Sequence, residues 1–258
     1  IQNWVYAPNV FDAFSRFSVP LFVMVSGALI LKPQQHVSFL LISKRIIRVL
    51  IPLLIWEVII KWYFDKTWID WRDILVEPPK YHFWFIYMII GVYLLIPVYQ
   101  AIFDYLLNKP ALQIYSLILW VIFTSMPTTY SPPLLNQIGQ NGFLQYGGYF
   151  LLGSLLFQYQ WKPNLIICLT LFSICSAIIA LQVGHLSLQA NALVSTPYSY
   201  FNPLVLLCSM ALFIGLMHIS INHKQFKILT TLSNLSFLIY FIHVIFIELI
   251  GFSKFTLL

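Results

Sequence analysis

Residues 44–60 read KRIIRVLIPLLIWEVII. Three cations, Lys44, Arg45 and Arg48, lead without a turn signal into an apolar run whose one charge is Glu57. An α-helix rises 1.5 Å per residue, so about 20 apolar residues cross a hydrocarbon core of about 30 Å. Cations at the mouth of such a run mark the cytoplasmic end of a membrane helix. Working outward, apolar runs and polar punctuation predict eight spans near 17–31, 46–64, 83–106, 112–127, 143–159, 164–182, 203–221 and 233–251. The expected fold is an all-α, polytopic transmembrane bundle forming one domain over residues 1–258, with no internal repeat.

Composition agrees. Of 258 residues, 60% are hydrophobic and 9% charged, whereas ordinary soluble domains carry about 25% charged residues. Aromatics make up 17%, including 8 Trp and 15 Tyr, and many flank apolar runs, where amphipathic rings form interfacial belts. The net charge of +6 does not form a nucleic-acid patch, because the cations are spread over short loops. Alternate loops hold Lys32, Lys44, Arg45, Arg48, Lys109, Lys162, Lys224 and Lys227, with Asp104 as the nearby acid. The opposite set holds Asp12, Arg16, a mixed-charge loop over 65–80, and two uncharged loops near 128–142 and 183–202. The first set is expected in the cytoplasm, which puts residues 1 and 258 outside. Cys168, Cys175 and Cys208 lie in apolar runs and read as packing residues, with no metal expected.

Several residues invite chemistry. Arg45 and Arg48 stand at i and i+3, so both guanidinium groups leave one helix face. Their fixed donor forks fit phosphate oxygens; the plainer reading is anchoring to anionic headgroups. Ionisable groups within spans are costly and point to function. Glu57, His218, His243 and Glu248 are such groups, although a neutral histidine can also pack by hydrogen bonding across helices. In Tyr81-His82-Phe83-Trp84-Phe85-Ile86-Tyr87, His82 is a candidate base or ligand at the outer face, and Trp84 and Tyr87 either stack on a sugar or belong to the belt. The residues alone leave a transporter or flippase of a lipid-linked glycan, an enzyme, and a sensor or scaffold all open.

Four ordered segments resemble the acyltransferase 3 family of bacterial membrane proteins. They are Ser15–Gly27, Lys44–Arg48 with Pro52, His82–Tyr87 with Gly91, Tyr93, Leu94 and Pro97, and Ser236–His243, with a weaker likeness at Gly148–Gly153. The resemblance implies ten helices in a bacterial inner membrane. It also implies transfer of an acetyl or other acyl group from cytoplasmic acetyl-CoA to a glycan hydroxyl outside. Arg45, Arg48 and Lys44 are then expected to hold CoA phosphates, with Arg16, His82, Trp84 and Tyr87 near the acceptor. The family's catalytic histidine belongs to a first helix expected to precede Ile1, and a last helix is expected beyond 251. The stretch given is therefore expected to be inactive by itself, with His243, His82 and Glu57 as the catalytic candidates within it.

Overall fold

The structure, a computed structural model, describes residues 7–35, 37–66, 81–130, 142–159, 163–217, 219–220 and 222–249. Among these it is helical throughout, with no strand. The α-helices are α1 (Ala7–Ser15), α2 (Ser18–Ile30), α3 (Phe39–Ile60), α4 (Trp84–Leu94), α5 (Ile96–Leu106), α6 (Pro110–Tyr130), α7 (Gly142–Tyr159), α8 (Leu165–Ala190), α9 (Pro203–Leu216) and α10 (His223–Leu249). A π-helical turn, Lys61–Asp65, extends α3, and 3-10 turns at Tyr81–Phe83 and Thr196–Tyr198 lie ahead of α4 and α9.

Local chemistry sets the boundaries. Ser38, Asn164 and Asn202 each accept a hydrogen bond from the backbone N–H two residues on, starting α3, α8 and α9, which satisfies donors that a helix start leaves open. Pro203 follows its cap directly, where a missing N–H costs nothing. Asn191 ends α8 at φ 48°, a left-handed closure that asparagine tolerates.

Two expectations are corrected. The span expected at 83–106 is broken: α4 and α5 meet at an angle of 61°. Pro97 lies in the first turn of α5, and its ring would strike the carbonyl of Tyr93 in a continuous helix. Leu95 takes φ −90°, ψ 4° at the corner. The uncharged loop expected from 183 begins later, because α8 runs on to Ala190. Among the described residues, four helical stretches are long and apolar enough to cross a membrane: Pro8–Ile30, Leu165–Ala190, Thr196–Leu216 and His223–His243. Counting the bent α4–α5 pair as one span makes five, so the expected eight is not confirmed.

The core is where α2 meets α7, with α4, α5 and α9 around them. Val23, Met24, Val92, Ile96, Tyr149 and Phe150 are fully buried there. A Cβ at Gly27 would collide with the Phe150 backbone, and one at Gly153 with the Met24 backbone. The two helices thus touch main chain to main chain, as small residues allow in membrane bundles. A second cluster joins α1, α8 and α9 through Ala13, Cys175, Ile179, Val183, Tyr198 and Cys208. The third joins α3, α4 and α10 through Leu53, Ile60, Phe83, Ile86 and Phe241. All three cysteines are buried and free.

Ring pairs fix relative direction. Phe22 of α2 meets Phe85 of α4 at 5.3 Å, and Ser26 lies near Tyr93 further along, so α2 and α4 run the same way. Arg45 and Arg48 of α3 lie near Tyr93, at the end of α4, and Glu57 near Tyr87, so α3 runs the opposite way.

Candidate active site

The start of α3 brings its cations to the end of α4. Arg45 is half-buried, and its Nε is shut from solvent with no hydrogen-bond partner among the described residues. Arg48 and Lys44 are exposed. Both guanidinium groups lie near the phenol of Tyr93, and Ser26 of α2 approaches the same phenol. Three helices, α2, α3 and α4, therefore converge on the arginine pair. The loop leading into α3 is tied down as well. Asp104 of α5 accepts from the Gln34 N–H at 3.0 Å and from Gln100 Nε2 at 3.0 Å, and that same Nε2 donates to the Lys32 carbonyl at 2.8 Å.

At the other end of α4 lies a continuous aromatic wall. Trp84 sits 5.9 Å from Tyr146 and 5.8 Å from Tyr200, ring to ring. The Arg16 guanidinium lies 4.5 Å over the Tyr198 ring and 5.9 Å from that of Tyr200. One of its nitrogens is 2.6 Å from both Asp12 carboxylate oxygens. Arg16 is thus an ion-paired brace for two tyrosines, joined to Trp84 through Tyr200. Tyr198 and Tyr200 carry no signal in the sequence, because they lie in an uncharged stretch with no pattern of its own. The 3-10 turn Thr196–Tyr198 delivers them.

On the neighbouring side of the same end, His82 is 7% exposed and its ring lies 5.1 Å from that of His243, nearly perpendicular to it. Tyr240 donates its hydroxyl to the His82 carbonyl at 2.5 Å. Tyr87 turns away from Trp84 into the α3–α4–α10 cluster, where its phenol lies near the fully buried Glu57. Trp56 stacks on Phe241 beside it at 6.1 Å. His82, His243, Glu57 and Tyr87 are therefore brought to one wedge, and Arg16 and Trp84 to the adjoining wall. His218 and the side chain of Glu248 lie outside the described residues, as do residues 67–80 of the mixed-charge loop.

The chain matches the Acyl_transf_3 family, an acyltransferase domain, over residues 1–256. It belongs to the acyltransferase 3 family. No curated protein and no solved structure matches it. Membership makes the chain a membrane acyltransferase domain, in keeping with its apolar helices. In acyltransferase 3 terms, the described residues offer a cationic end and an aromatic, imidazole-bearing end on opposite sides of one bundle. Among them no cluster of three or more His, Cys, Asp or Glu could hold a metal ion.

Proposed function

We propose that this protein is a membrane-bound O-acyltransferase of the bacterial inner membrane, moving an acetyl group from cytoplasmic acetyl-CoA to a sugar hydroxyl of a cell-surface or lipid-linked glycan. The observation that carries the reading is the convergence of α2, α3 and α4 on Arg45 and Arg48 at one end of the bundle, opposite the aromatic wall. Arginine forks suit the phosphates of CoA, and Lys44 adds a third charge beside them. The wall of Trp84, Tyr146 and Tyr200 suits the apolar face of a sugar ring. Within the family, the ordered segments are also like those of the O-acetyltransferase that modifies enterobacterial common antigen, which makes that glycan a reasonable first acceptor. Read as spans, α3, α6 and α7 would bring the count to eight; α3 alone reaches about 33 Å.

The test uses inside-out vesicles carrying the full-length protein, radiolabelled acetyl-CoA and endogenous glycan. Label is expected in the glycan. The double variant Arg45→Ala, Arg48→Ala is expected to raise the KM for acetyl-CoA about tenfold or more, since a charge-assisted contact contributes about 1.5–3 kcal/mol. An unchanged KM removes the phosphate clamp. No transfer and no CoA binding by the wild type removes the enzyme and favours glycan transport.

A further inference from the structure

A cavity of about 500 Å³ lies between α5, α6 and α7. Its walls are apolar: Leu117 of α6 lines it together with Leu151, Leu152 and Leu155 of α7. Trp120 is the last α6 residue along it. A Cβ at Gly148 would strike the Trp120 ring, and the ring Nε1 donates to the Gln145 carbonyl at 2.9 Å, so the indole is fixed against α7. At the other end the cavity reaches Pro110, the first residue of α6. From Pro110 to Trp120 a helix rises about 15 Å, half of a hydrocarbon core of about 30 Å. The cavity is therefore one leaflet deep.

A second cavity of about 500 Å³ adjoins the first and is polar. Gln113 and Tyr159 line both, and the Tyr159 hydroxyl donates to Gln113 Oε1 at 2.6 Å. Beyond that bar stand Gln34, Asp104, Asn108 and Gln158. The two Asp104 oxygens each accept one hydrogen bond, and a carboxylate oxygen has room for a second. Among the described residues Asp104 forms no ion pair, and neither does the exposed Lys109, whose Nζ rests 3.5 Å over the Tyr105 ring. The mouth thus offers one anion and one cation five residues apart, with the positive end of the α6 dipole beside the cation. Loop charge puts this mouth on the cytoplasmic side.

We propose that the joined cavities hold one zwitterionic aminophospholipid of the cytoplasmic leaflet. One acyl chain lies between α6 and α7, the phosphate meets Lys109 and the start of α6, and the ammonium meets Asp104. The depth matches a chain that reaches the bilayer midplane, and the two signs at the mouth match a head that carries both. A purely anionic head would set its charge against Asp104. A primary ammonium also donates to the amide oxygens of Asn108 and Gln158, which a quaternary one, lacking N–H, does not. Binding braces the loop into α3 as well, because Asp104 accepts from the Gln34 N–H. The site is independent of acyl transfer and does not require it.

The experiment titrates the full-length protein in mixed micelles with chain-brominated phosphatidylethanolamine or phosphatidylglycerol. Bromine quenches indole fluorescence on contact, so the difference between wild type and Trp120→Phe reports the cavity. Saturable quenching of Trp120 by the ethanolamine lipid is expected, about tenfold tighter than by the glycerol lipid, because a charge-assisted contact separates the two heads. Ser116→Phe, which puts a ring into the apolar cavity, is expected to abolish the saturable part, and Asp104→Asn to remove the preference between heads. If either variant fails to fold, the wild-type comparison of the two lipids decides alone. Quenching that rises linearly with lipid fraction, or is equal for both heads, overturns the site as ordinary bilayer contact. Displacement of the brominated lipid by palmitoyl-CoA assigns the cavity to a donor chain and overturns it too. No arm measures transfer, so each failure leaves the acyltransferase reading standing.

Discussion

At the scale of single residues, Glu57 is the most deeply buried acid among the described residues. It is 0% exposed, it sits in the last turns of the apolar helix α3, and the phenol of Tyr87 lies nearby. A carboxylate so placed is costly unless neighbouring groups compensate it. Glu57→Gln keeps shape and hydrogen-bonding capacity, so the variant is expected to insert and purify like the wild type. Glu57→Leu strands the groups that face it and is expected to cost about 1–3 kcal/mol, seen as a lower midpoint of thermal unfolding in detergent. Equal midpoints for the two variants would mean that the carboxylate has no polar neighbour of consequence. Sequence alone flagged Glu57, His243 and the arginine pair, because ionisable residues in apolar runs and i, i+3 spacing are visible in a linear string. The roles of Tyr93, Ser26, Tyr200 and Tyr240 were not visible: each is an ordinary belt or span residue until another helix is placed against it.

At the scale of elements, the contact of α2 with α7 is the tightest and the least tolerant. The neighbours that a methyl group at Gly27 or Gly153 would meet are backbone atoms, which cannot swing aside. Gly27→Ala and Gly153→Ala are each expected to destabilise by about 1–3 kcal/mol and to lower membrane abundance, read by immunoblot and thermal unfolding. Abundance like the wild type in both would mean that the two helices separate without loss. The bend at Leu95 has its own consequence. It gives α4 a C-terminus beside Arg45 and Arg48, and a helix C-terminus carries partial negative charge that favours cations. Pro97→Ala permits a straighter α4–α5 and is expected to raise the KM for acetyl-CoA severalfold with little change in kcat. The sequence offered Pro97, yet membrane helices often absorb a proline without breaking, so the bend was not legible until Leu95 was placed.

At the scale of the whole molecule, a cationic end is distinct from an aromatic one, with Lys61 and Lys66 beyond α3 on the aromatic side. Lys32, Lys44, Arg45, Arg48 and Lys109 accompany the closing turns of α2 and α5 and the first turns of α3 and α6, while Arg16 and the histidine pair accompany the start of α4. Loop alternation puts the first group in the cytoplasm by the positive-inside rule, which needs no tertiary structure. Single cysteines at Gln34 and Asn108 are therefore expected to react with an impermeant maleimide only from the cytoplasm, and one at Ser199 only from outside. The native thiols are buried and give a low background. Labelling of Asn108→Cys from outside would invert the assignment of donor and acceptor ends.

The attachment of α10 has a consequence for biosynthesis. Only 6% of its apolar window is buried, and its ring contacts with the body are made by Tyr240, Phe241 and His243. The ribosome delivers this helix last among those described. The nascent chain consequently completes its cationic end many residues before α10 arrives to close the cluster of Leu53, Ile60, Phe83 and Ile86.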